Sequence, residues 1–181
     1  MSWQLDKTHS GINFSVRHMM ISKVRGSFAE FDGVFDINEA NPTQSKIEIE
    51  IQAGSITTKE AQRDGHLRSP DFFDVAHYPI LTFKSTRVEK VGDRHVRLLG
   101  DLTIKDVTKE VALTVEYAGQ AKSPWGTISA GFTASTKINR KDWGLTWNQA
   151  LETGGVLVGD EVTIDIELEL IKQAEAVLAV A

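Results

Sequence analysis

The sequence predicts an all-β fold, an extended up-and-down antiparallel β-barrel of about eight strands with one or two short helices inserted around 58–76, and three observations predict it. First, apolar and polar residues alternate with period two in Ile47, Ile49 and Ile51, in Val111, Leu113, Val115 and Tyr117, and in Val162, Ile164, Ile166, Leu168 and Leu170. Each such run has one face for a core and one for water, the usual pattern of antiparallel sheets. Second, the breaks carry turn chemistry at Asn41-Pro42, Val91-Gly92-Asp93, Lys105-Asp106 and Ser123-Pro124-Trp125-Gly126. Third, most links are short enough for hairpins. Long strands joined in sequence either close on themselves or leave edges that invite aggregation, and closure is the simpler solution.

Taken in order, the expected strands are 3–7, 11–18, 23–37, 45–56, 80–88, 95–104, 109–119, 127–138 and 161–171. Between the fourth and fifth the pattern changes. Thr57 and Glu60 have capping-box spacing ahead of a short helix over 59–67, and Ser69-Pro70 offers a second start with Pro70 at the first helical position. Lys59, Arg63 and His66 fall at i, i+4 and i+7, so three potential cations share one helix face, which reads first as a solvated charged face of the usual surface-helix kind. One barrel domain over 1–171 followed by a C-terminal tail over 172–181 accounts for the chain. The side chains of 174–181 are uncharged apart from Glu175, so the tail is expected to fray or to pack on a second copy, and a homodimer is among the expected partners.

Composition removes several function classes. The chain has 181 residues, 41% hydrophobic, a net charge of −5 and no cysteine. Mild acidity argues against a nucleic-acid surface, which needs clustered Lys and Arg. Without cysteine there are no disulfides, thiolate metal sites or Cys nucleophile. The five histidines show neither a His-x-His pair nor a His-Glu-x-x-His spacing, so no metal and no cofactor is expected. The first residues lack a basic segment leading into an apolar stretch, and no run approaches the roughly 20 apolar residues of a membrane span. The reading is a cytoplasmic protein without stable membrane insertion.

The large side chains that would face the interior are mostly Phe and Trp. Phe14 shares strand parity with Ile12, Val16 and His18, which puts His18 near one end of an inward face. Phe28 and Phe31 differ in parity, which requires a bulge between them or aromatics on both faces. A barrel of about eight strands is either filled by side chains or holds one small ligand. Gly26, Gly33, Gly100, Ala112, Ala130, Gly131 and Ala134 fit an unfilled lumen and fit strand bending equally. Strands of about 10 to 12 residues tilted near 40° would make a lumen roughly 25–30 Å long, which suits an extended lipid better than a compact metabolite.

Several motifs resemble the YceI-like family of lipocalin-like barrels. They are Asp6-Lys7-Thr8-His9-Ser10 leading into Ile12 to His18, then Gly26-Ser27-Phe28 with Phe31-Asp32-Gly33, His66-Leu67-Arg68-Ser69-Pro70-Asp71-Phe72-Phe73-Asp74, Tyr78-Pro79 with Phe83, Gly100-Asp101-Leu102-Thr103-Ile104 and Asn139-Arg140-Lys141-Asp142-Trp143-Gly144. Two departures are Asp106, where the family turn has Gly, and Trp143, where Phe is usual. The resemblance implies an apolar lumen for a long-chain isoprenoid or another amphiphilic lipid. Its function would be non-enzymatic binding, storage or transport. The candidate ligand-binding residues are Phe14, Val16, His18, Phe28, Phe35, Phe72, Phe73, Phe83, Phe132 and Trp143 along the lumen, with Arg63, His66 and Arg68 at its mouth. Arg63 and Arg68 are placed there to meet a phosphate by charge-assisted hydrogen bonds. Asp71 and Asp74 are expected to orient the short helix, and Arg140 to pair internally. Two other readings stay open: a barrel enzyme on an amphiphile with His18 or His66 as general base, and a filled barrel used for protein interaction.

Overall fold

The computed structural model describes residues 2–173. Its strands are β1 (Ser2–Leu5), β2 (Gly11–His18), β3 (Ser22–Phe28), β4 (Phe31–Asp36), β5 (Lys46–Gln52), β6 (Ile56–Thr57), β7 (Ile80–Lys90), β8 (His95–Ile104), β9 (Val107–Lys122), β10 (Ile128–Asn139) and β11 (Val158–Lys172). A helix, α1 (Ala61–Arg68), lies between β6 and β7. These segments pair as the eight staves of a closed antiparallel barrel, because β1 with β2, β3 with β4, and β5 with β6 are each one interrupted stave. The last stave closes on the first: Ile166 of β11 faces Ile12 of β2, and Leu170 faces Leu5 of β1. Closure leaves the long strands without a free edge.

The interruptions have local causes. Asp6 caps a 3-10 turn over Lys7–His9, accepting the Thr8 N–H at 3.0 Å, and this separates β1 from β2. Ala29 and Glu30 separate β3 from β4, and both break residues are held by Ser55. The Ala29 N–H donates to the Ser55 carbonyl at 3.1 Å and the Glu30 N–H to Ser55 Oγ at 3.0 Å. The break resolves the parity of Phe28 and Phe31: the extra residue lets Phe28 on β3 and Phe35 on β4 both line the interior.

Two sequence expectations are corrected here. The helix begins at Ala61, and its cap is Glu60 itself, whose carboxylate accepts the N–H groups of Gln62 at 3.1 Å and Arg63 at 2.7 Å. No second helix starts at Pro70. Pro70 disfavours helical geometry at Ser69, which is extended with ψ 169°. The chain then doubles back on α1: the N–H of Phe73 bonds the Leu67 carbonyl at 3.0 Å and that of Val75 the Arg68 carbonyl at 3.1 Å. Strand β11 runs through Lys172, and the rest of the expected tail, 174–181, lies outside the described residues.

Candidate ligand-binding cavity

A cavity of about 960 Å³ occupies the barrel, at the upper end of the range for small-molecule sites. The inward positions of the alternating runs make its wall: Ile12 on β2, Ile47 and Ile49 on β5, Leu98 on β8, Leu113 on β9 and Ile164 and Ile166 on β11. The cavity reaches both ends of the barrel. At the helix end it is bordered by His18, Arg63, His66, Trp147 and Leu157, and at the far end by Asn38, Glu39, Asp93, His95 and Gln120.

Aromatic rings thicken the wall without plugging it. The Phe14 and Phe28 rings are 5.7 Å apart, and Phe73 meets Phe28 edge-on at 5.8 Å. Phe14 lies over Gly26, where a Cβ would approach its ring to 2.4 Å, and Phe83 lies over Gly100, also at 2.4 Å. Each glycine is a seat into which a ring folds flat against the sheet. Phe35, Phe132 and Val16 also line the cavity.

At the helix end, His66 meets Trp147 edge-on at 4.6 Å and Phe72 at 5.1 Å, while its Nε2 is 2.8 Å from Asp71 Oδ2. Arg63 borders the cavity and is anchored by donating from Nε to Thr58 Oγ1 at 2.7 Å and from Nη2 to the Thr58 carbonyl at 3.1 Å. A guanidinium has five N–H donors, so the remainder stay available to an anion at the mouth.

Two candidate residues fall elsewhere. Arg68 does not border the cavity; its Nε donates to the Gly54 carbonyl at 3.0 Å and its Nη2 to that of Ile56 at 3.2 Å, which ties α1 to the broken stave. Trp143 is buried beside the lumen, and its indole N–H is satisfied by the Leu102 carbonyl at 2.9 Å. The left-handed Gly144, φ 77°, turns the chain there, so Leu145 borders the cavity in its place.

Arg140 pairs internally. It is 3% exposed and donates to three carbonyls, of Leu145 at 2.5 Å, Gly159 at 2.8 Å and Val158 at 3.4 Å. Burial holds this guanidinium below its ordinary value, and the charge of Asp160 opposes that only in part. Sequence reasoning also missed the latch of Asp6, His9 and Glu169 on the outside of the barrel. His9 Nδ1 lies 2.8 Å from Asp6 Oδ2 and 3.9 Å from Glu169 Oε2. The hydrogen bond to Asp6 holds His9 above its ordinary value, and the same bond holds Asp6 below its own. The pairing of β11 with β1 and β2 brings Glu169 to that place, where its carbonyl accepts the Asp6 N–H at 2.9 Å.

Comparison with known proteins follows from this geometry. A family model described as the YceI-like domain matches residues 3–170. A UPF0312 protein of Photorhabdus laumondii is 44% identical over 135 residues, covering 75% of this chain and 70% of its own. A YCEI protein crystal structure from Campylobacter jejuni superposes with a TM-score of 0.75 at 31% identity, covering 87% of this chain and 90% of its own. A polyisoprenoid binding domain from Saccharophagus degradans shares the fold, with a TM-score of 0.67 at 18% identity over 94% of this chain and 98% of its own.

Proposed function

Because the chain belongs to the family of YceI-like domains, we propose that it carries or stores a long-chain isoprenoid or similar amphiphile in the barrel lumen and performs no chemistry on it. The observation that carries this reading is the continuous apolar cavity of about 960 Å³ whose polar residues are gathered at the two ends. A tail in the lumen would touch Phe14, Phe28, Phe83 and the aliphatic wall, while a polar head would meet Arg63, His66 and His18 at the helix end. Burying about 20 methylenes contributes on the order of 16 kcal/mol gross, before ordering and association costs remove much of it. Tail burial is therefore sufficient for tight binding. The polyisoprenoid binding of the Saccharophagus domain, which has the same fold, supports the choice of ligand class.

Native mass spectrometry of the purified protein, followed by solvent extraction and mass analysis of bound molecules, tests it. The expected result is one long-chain isoprenoid per chain, unchanged on prolonged incubation. A ligand-free mass that stays so after incubation with polyprenyl phosphate overturns the reading, and conversion of the bound lipid would replace the carrier with an enzyme.

A further inference from the structure

The β2–β3 hairpin breaks two local rules at once. His18 to Ile21 form its tight turn, with the Ile21 N–H donating to the His18 carbonyl at 3.2 Å, and both central residues have positive φ, 52° at Met19 and 63° at Met20. Such turns favour Asn and Gly, because larger L side chains are strained there. Here the strained positions carry methionine, and the tip is turned out to water: Met20 is 60% exposed and Ile21 80%. Val156 on the neighbouring loop adds a further exposed apolar side chain.

The chemistry around the tip says what it meets. On the flanking strands exposed Lys23 and Arg25 alternate with the cavity-lining Val24, and exposed Arg17 borders the cavity mouth between Val16 and His18. Arg17 and Lys23 are direct cross-strand partners. None of the three makes an ion pair among the described residues, although the chain carries a net charge of −5. Three free cations behind an apolar tip match the interface of an anionic bilayer, where apolar side chains enter the headgroup boundary and cations stay with the phosphates. A second copy fits poorly, because a symmetric contact through this tip would set the cations against themselves.

The tip also stands beside the cavity mouth formed by His18 and Leu157. We infer that the Met19-Met20-Ile21 tip, with Arg17, Lys23 and Arg25, docks the helix end of the barrel on an anionic lipid surface. The contact is peripheral and reversible. It stands apart from what fills the lumen, since vesicle binding is read whether or not the cavity is loaded.

The test is co-sedimentation of the whole chain with vesicles of phosphatidylglycerol and phosphatidylcholine in equal parts, against phosphatidylcholine alone. Binding is expected on the mixed vesicles, weakly on the neutral ones, and to fall at high salt. Lys23→Gln and Arg25→Gln should each weaken partition about fivefold, and Met20→Ser with Ile21→Ser together by at least about tenfold. Replacing Met19→Asn with Met20→Gly should raise the melting temperature by relieving the turn, yet lower vesicle binding. Native mass spectrometry of each variant reads lumen loading separately. Equal binding to neutral vesicles, or tip variants that partition like the parent, would overturn the inference. So would concentration-dependent dimerisation abolished by Ile21→Ser, which would give the tip to a second copy.

Discussion

At Gly26 a Cβ would strike the far end of the Phe14 ring, whereas at Gly100 it would strike both the Phe83 ring and the Lys84 carbonyl, the latter at 2.6 Å. The two seats therefore fail differently. A ring tip can swing into the lumen, so Gly26→Ala should shrink the cavity and weaken lipid binding while costing about 1 kcal/mol of stability or less. A backbone carbonyl cannot swing, so Gly100→Ala should lower stability by about 1–3 kcal/mol, read from denaturant midpoints. Arg140→Ala would strand the buried carbonyls of Leu145 and Gly159 and is expected to cost about 3 kcal/mol. Strand parity put Phe14 on an inward face, whereas for Phe28 and Phe31 parity left the faces open until the break at Ala29 and Glu30 was located. The sequence did not disclose Arg68 and Trp143, whose partners are backbone carbonyls of Gly54, Ile56 and Leu102. Carbonyls leave no mark in an amino-acid pattern.

At the scale of elements, α1 has a weakly apolar composition and is held by polar contacts. Asp64 is buried and accepts both the Thr58 N–H at 2.7 Å and its hydroxyl at 2.5 Å. Burial pushes the Asp64 carboxyl up, but the Thr58 bonds and the charge of Arg68 outweigh it and hold the group below the ordinary 3.8. A carboxyl lowered on folding adds stability above its unfolded value and loses it as pH falls through 3.8 towards the folded value. Asp64→Asn should therefore destabilise by about 1–2 kcal/mol at neutral pH. Its thermal melts should begin to converge on those of the parent as pH falls below 3.8; a gap that stays constant all the way into strong acid would contradict this assignment. The short helix itself was legible from its capping signal over 59–67, although the cap is Glu60, three residues beyond the expected Thr57, and the helix starts at Ala61. The missing second helix was not, because Pro70 is compatible with a helix start and with the turn that the Leu67 and Arg68 carbonyls capture.

At the scale of the molecule, alternation and hairpin links specified a closed barrel, since period two fixes which residues face inward and short links fix which strands pair. An open lumen could not be read the same way. Its volume is the difference between a wall perimeter and the summed size of many inward side chains, and a ring folded over Gly26 leaves the same sequence as one that fills the middle. The breaks stitched by Ser55 were hidden too, because two residues of slack at Ala29 and Glu30 look like continuous strand.

The central claim is that the chain of the ligand lies inside this cavity. A series of polyprenyl phosphates of increasing length, titrated against the protein with lipid dispersal held constant, measures it most directly. Each added methylene should improve binding by up to about 0.8 kcal/mol until the lumen is full, after which affinity should level off. An affinity indifferent to chain length from the shortest member onward would place the tail outside the barrel and contradict the account.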